Sequence, residues 1–155
     1  MRISVTGHMN ITPATAELVR AAITDLLADI PNLVGVSCIA PGADSVFAAA
    51  VLEAGGQLEV VLPSRNYREK VKPDHAPLFE ELLARAATVR VMDFDTPGRE
   101  AYEAANAVLV DAVDRLVAVW DGQVSERGGT GTVVDLARAR GVPVTIVWPD
   151  GAERD

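Results

Sequence analysis

Six short apolar runs rich in β-branched residues recur along the chain, at residues 2–6 (RISVT), 33–39 (LVGVSCI), 58–62 (LEVVL), 88–92 (TVRVM), 115–119 (RLVAV) and 143–148 (PVTIVW). Most are continuous rather than alternating, which marks strands covered on both faces. Helical patterns separate them. Pro13 to Leu27 opens behind Thr12, an N-cap residue followed by proline at the first helical position, and carries Leu18, Ala22 and Leu26 on one face. Ala43 to Ala54 ends at Gly55-Gly56, and Thr130 to Arg140 ends at Gly141-Val142-Pro143, both helix-stopping sequences. Pro77 to Ala86 and Arg99 to Ala112 supply two more helices. Strand alternating with helix implies right-handed crossovers, and so an α/β, Rossmann-like, doubly wound parallel sheet with helices on both faces.

A length of 155 residues makes this one domain, expected over residues 1–150 with a short C-terminal tail at 151–155. Hydrophobic residues at 49% against 23% charged argue against disorder. No apolar run approaches the roughly 18 residues that a membrane helix needs, and the N-terminal run is too short for a signal-peptide core. A cytoplasmic location, with no membrane partner, is the default expectation. The lone cysteine, Cys38, reads as a buried, inert thiol. A net charge of −8 argues against nucleic acid as a partner, because nucleic-acid binders normally carry a basic surface. The two lysines, Lys70 and Lys72, nevertheless cluster with Arg65, Arg68 and Tyr67 in the one long connection, residues 63–76. That segment is either a solvated loop or a lid that clamps a small anion.

In an open parallel sheet, ligands bind beyond the carboxyl ends of the strands. Three strand-to-helix connections there combine glycine with hydroxyl or carboxylate groups: Thr6-Gly7-His8-Met9-Asn10, Ala40-Pro41-Gly42-Ala43-Asp44-Ser45, and Trp120 through Thr132. The last contains Gly128-Gly129-Thr130-Gly131-Thr132, whose backbone N–H groups and hydroxyls at a helix start suit a phosphate; the alternative is an ordinary turn capped by Thr130 or Thr132. The pattern matches neither a dinucleotide fingerprint nor a Walker loop.

These two motifs, Gly42-Ala43-Asp44 and Gly128 to Thr132, resemble those of the superfamily that joins the DNA-processing protein DprA with the Lonely Guy enzymes (SLOG). The nearest likeness is to small stand-alone members of the YspA type, which bind nucleotides or their derivatives. The resemblance implies a Rossmann-like fold, a phosphate-binding loop at Gly128, Gly129, Thr130, Gly131 and Thr132, further contacts at Thr6, Gly7, Gly42 and Asp44, and a homodimer. It departs from the pattern where Pro41 replaces an arginine and where His8-Met9 follows the first-strand glycine. Lonely Guy enzymes cleave the base from a nucleoside monophosphate with an arginine and glutamates; the corresponding positions here hold Ala105, Val108, Val134 and Asp135. Valine cannot stabilise an oxocarbenium-like centre or move a proton. The expectation is therefore a sensor or carrier of a nucleotide-derived ligand with no required cofactor. The alternative is an N-glycosidase with a rearranged site using Asp135 or Asp44, with Asp121 and Glu126 as further carboxylates.

Other residues keep two readings each. His8 contacts a ligand phosphate or bonds a loop carbonyl; His75 caps the helix at 77. Asp44 bonds a ribose hydroxyl or caps its helix. Trp120 stacks on a base, whereas Trp148 serves packing. Asn106 reaches the same pocket. Ser45, Ser64 and Ser125 lack the partners of a nucleophile, and the two histidines give no metal-ligand spacing.

Overall fold

The structure, a computed structural model, describes residues 1–124 and 129–155. Its elements run β1 (Arg2–Gly7), α1 (Pro13–Leu27), β2 (Val34–Ser37), α2 (Ala43–Glu53), β3 (Gln57–Leu62), α3 (Tyr67–Lys70), α4 (Ala76–Arg85), β4 (Thr88–Val91), α5 (Arg99–Leu109), β5 (Arg115–Val119), α6 (Thr130–Ala139) and β6 (Val144–Val147). Six parallel strands form one sheet in the order β4-β3-β2-β1-β5-β6. The register pairs Val5 with Val117 and Gly7 with Val119, so β1 and β5 end side by side. This is the expected single-domain, Rossmann-like α/β architecture. No helix among the described residues is long and apolar enough to cross a membrane.

The sheet is covered on both faces. Ile3, Val5, Val117 and Val119 meet Val19 and Ile23 of α1 and Phe47 of α2 on one side. Val36, Cys38 and Val61 meet Ala105 and Leu109 of α5 on the other, beside Leu116 packed on Val133 and Ala137 of α6. In the central strands β1, β2 and β5, residues that point alternately to the two faces are thus mostly buried, which is why those runs read as continuous. Strand β4 is the exception: all four of its residues are exposed, because it lies at an edge beyond the reach of the helices.

Thr12 caps α1 as expected, its hydroxyl accepting from the Thr15 N–H at 3.1 Å. The buried stripe of that helix is Thr15, Val19, Ile23 and Leu27, one residue on from the expected face; Leu18 is exposed and Ala22 and Leu26 are only flanking. Val19 and Ile23 pack in one core cluster with Val5 and Val119. Residues 63–76 contain the short helix α3, and their buried His75 occupies the N-cap position of α4 without a side-chain capping bond, its Nε2 donating to the Ile39 carbonyl at 3.0 Å. That bond holds a carbonyl from an unusual backbone: Ile39 has φ of +47°, a left-handed conformation costly for a β-branched residue.

The segment set apart as a tail is pinned to the β1–α1 connection. Arg154 bridges Ile11, Glu153 N–H donates to the Thr15 hydroxyl at 2.7 Å, and the Arg154 guanidinium donates to Asn10 Oδ1.

Candidate functional site

Helices α1 and α6 follow adjacent strands but lie on opposite faces, so the chain parts beyond the carboxyl ends of β1 and β5. A cleft of about 900 Å³ opens there. Thr6 and Gly7 of β1 line it, with Asp44 from the first turn of α2, Tyr67 from α3, Asn106 from α5, and Gly129, Thr130 and Thr132 at the start of α6. Residues from all three expected turns therefore meet in one space.

Two glycines make this convergence sterically possible. A Cβ on Gly7 would lie 2.5 Å from the Ala43 Cβ and 2.8 Å from that of Val119. Gly42 has φ of +77°, and a Cβ there would lie 2.6 Å from the Met9 carbonyl. The β1 and β2 connections are zipped together as a result: His8 N–H donates to Val119 O at 3.1 Å and Ala43 N–H to His8 O at 3.2 Å.

That zipper corrects the notion of three equivalent anion-binding turns. The first amide of α2 is already taken by His8, whereas α6 starts at Gly129 without any side-chain cap. N–H groups of a first helical turn have no partner within the helix. Beside them stand the hydroxyls of Thr130 and Thr6, on residues 7% and 8% exposed. Both residues line the cleft. Gly128, with Ser125 and Glu126, lies outside the described residues.

Several expected contacts face elsewhere. The His8 ring is buried outside the cleft, stacked edge-on against Trp148, and its Nε2 accepts the Asp121 N–H at 3.1 Å. Burial foremost, then the positive charge of Arg154, lowers its pKa against the opposing pull of Asp121. A neutral ring that accepts a backbone N–H is a structural brace. Trp120 lies over Gly131 and donates to the Gln123 carbonyl at 3.0 Å, outside the cleft lining. Ser45 donates to the Ala40 carbonyl at 2.7 Å, and Gly42 and Ala43 are likewise structural. Asp135 is exposed on the outer face of α6, away from the cleft.

The basic lid is also corrected. Arg65 pairs with Asp93 and, at 2.7 Å, with Asp95; Arg68 forks onto Glu80 at 2.6 Å. Lys70 and Lys72 are exposed and do not line the cleft. Of that segment only Pro63 and Tyr67 line it, and acidic residues distant in sequence pair with the arginines.

Asn106 marks a wall that sequence reasoning only half found. Arg99, Tyr102, Glu103 and Asn106 share one stripe of α5 beside the buried Ala101, Ala105 and Leu109. The spacing was the available signal: residues three, four and seven before Asn106 share its side of a helix.

Asp44 is the buried carboxylate of the cleft. Burial raises its carboxyl to about 7, against a backbone hydrogen bond from Ala40. It also faces Cys38, whose thiol is pushed far above the ordinary value by burial and then by Asp44. Among the described residues no three metal-ligating side chains gather.

No protein-family model matches the chain, and no curated protein matches it by sequence. Solved structures do. DprA from Streptococcus pneumoniae superposes with a TM-score of 0.71 at 18% identity, over 97% of this chain and 51% of that one. DprA from Helicobacter pylori, whose structure describes its single-stranded DNA binding mode, gives a TM-score of 0.71 at 18% identity over 100% and 68% of the two chains. The molybdenum cofactor binding protein of Rippkaea orientalis gives 0.63 at 19% identity over 96% and 77%. The chain spans about half the length of the S. pneumoniae protein. The chain thus shares its Rossmann-like fold with these DprA proteins and with the molybdenum cofactor binding protein. The exclusion of nucleic acid is overturned by the H. pylori match: a protein that binds single-stranded DNA has this fold across the whole of the chain. Net charge sums over the whole surface, whereas binding depends on one local patch.

Proposed function

We propose that the cleft binds a nucleotide or nucleotide-derived phosphorylated metabolite, and that the protein acts as its sensor or carrier. The observation that carries this reading is the convergence of two threonines that line the cleft, Thr6 and Thr130, on the start of α6, whose first turn has no side-chain cap. A phosphate oxygen accepts hydrogen bonds from threonine hydroxyls and from the free amides of a helix start together. Among the described lining residues the carboxylates are Asp44 and Glu103, the latter paired with Arg99, and the positions matched to the Lonely Guy arginine and glutamates hold Ala105, Val108, Val134 and Asp135, which supports binding without turnover. Calorimetric titration against mononucleotides, cyclic nucleotides, NAD and ADP-ribose tests it; silence across that panel defeats it.

Two further readings have their own tests. An N-glycosidase would rest on Asp44, whose raised pKa suits a general acid; release of free base from a monophosphate, lost in Asp44→Asn, is its signature. Single-stranded DNA binding is favoured by the match to DprA, and a gel shift at low salt detects it.

A further inference from the structure

Both tyrosines of the chain, Tyr67 and Tyr102, reach the same cleft from elements that are far apart in sequence. Tyr67 is held in place by its ring against Phe79, 6.1 Å between centroids, while Tyr102 is 46% exposed, large for an aromatic residue at a site wall. The two phenols are near enough that Tyr102 contributes, after burial, to raising the pKa of Tyr67, so both hydroxyls stay neutral. One helical turn after Tyr102, Asn106 lines the same cleft and offers an amide that both donates and accepts. The cation of this wall, Arg99, is bound to Glu103 at 3.0 Å. The α5 side is thus aromatic and amide in character, with its charge internally paired, and the anion-seeking groups stand opposite at α6. A volume of about 900 Å³ also exceeds what a phosphate alone needs, and falls in the upper part of the roughly 300–1,000 Å³ typical of small-molecule pockets.

We infer that Tyr67, Tyr102 and Asn106 form a second subsite that takes a planar, hydrogen-bonding heteroaromatic ring, so that the ligand lies across the cleft with its phosphate at α6 and its ring on α5. Stacking on a phenol gives affinity with little regard to ring identity, and the Asn106 amide reads the ring edge. This inference rests on the binding reading above and divides that site into an anion end and a ring end.

The test compares AMP, GMP and CMP with ribose 5-phosphate by calorimetry on the intact protein. At least one nucleotide is expected to bind roughly 5- to 150-fold more tightly than ribose 5-phosphate, the range of a stacked base. Tyr102→Ala should collapse that ratio towards one, and Tyr102→Phe should keep most of it. Thr130→Val should weaken nucleotide and sugar phosphate together and leave the ratio intact. Equal binding of nucleotides and ribose 5-phosphate overturns the ring subsite while the anion site stands. A ratio that survives Tyr102→Ala overturns it as well, and absence of binding by every probe overturns both.

Discussion

Replacing Asp44 by asparagine should make the protein more stable at neutral and alkaline pH, and leave it nearly unchanged in mild acid. The carboxyl is held in the fold at about 7, against an ordinary value of 3.8, chiefly by burial. Folding therefore raises its proton affinity. Its contribution to stability is complete below 3.8, where folded and unfolded chains are both protonated, and declines as pH rises to about 7. In that window the unfolded chain has released the proton and the folded chain retains it, so stability falls by about 1.4 kcal/mol per pH unit. Across the window the loss amounts to roughly 4 kcal/mol, an upper bound for a residue that opens onto a cleft. Asparagine mimics the neutral acid and turns its amide to the same open space. Urea denaturation of both proteins from pH 4 to pH 8.5 should give curves that coincide at the acid end and diverge by a few kcal/mol at the alkaline end, the variant above. A difference that stays constant with pH, or a variant that is less stable at pH 8, refutes the argument that burial in this cleft keeps the carboxyl protonated.

Thr130→Val should weaken binding of a phosphorylated ligand by roughly 10- to 100-fold, the worth of a hydrogen bond to a charged group, with the melting temperature little changed; titration calorimetry and a thermal scan read the two quantities. Gly42→Ala forces a Cβ to within 2.6 Å of a carbonyl oxygen at a positive φ, and should cost about 1–3 kcal/mol in urea denaturation. The His8 ring should titrate below 6.5 by NMR, since burial and Arg154 favour its neutral form. With a folded pKa below the unfolded one, its contribution to stability is present above 6.5 and lost as pH falls through the folded pKa. His8→Ala leaves the Asp121 N–H without its acceptor, and should cost about 1–3 kcal/mol.

The sequence alone determined the architecture. Most of the six β-branched runs are too continuous to be solvated on either side, and strands alternating with helices pack as a parallel sheet with right-handed crossovers. Thr12 before Pro13, Gly42 before Ala43 and Gly129 before Thr130 also announced their helix starts, because caps and positive-φ glycines act within a few residues. What tertiary structure alone decided was which of the marked side chains face the cleft. His8 and Trp120 belong to the marked loops yet turn to Asp121, Trp148 and Gly131. Arg65 and Arg68 read as a free basic cluster until Asp93, Asp95 and Glu80 neutralise them. Tyr102 and Arg99 came into view only when α5 was set in rotation by burying Ala101, Ala105 and Leu109. Backbone geometry is a local property and can be read along the chain. The direction of a side chain and the fate of its charge depend on partners tens of residues away, and these meet it only once the sheet has closed its layers.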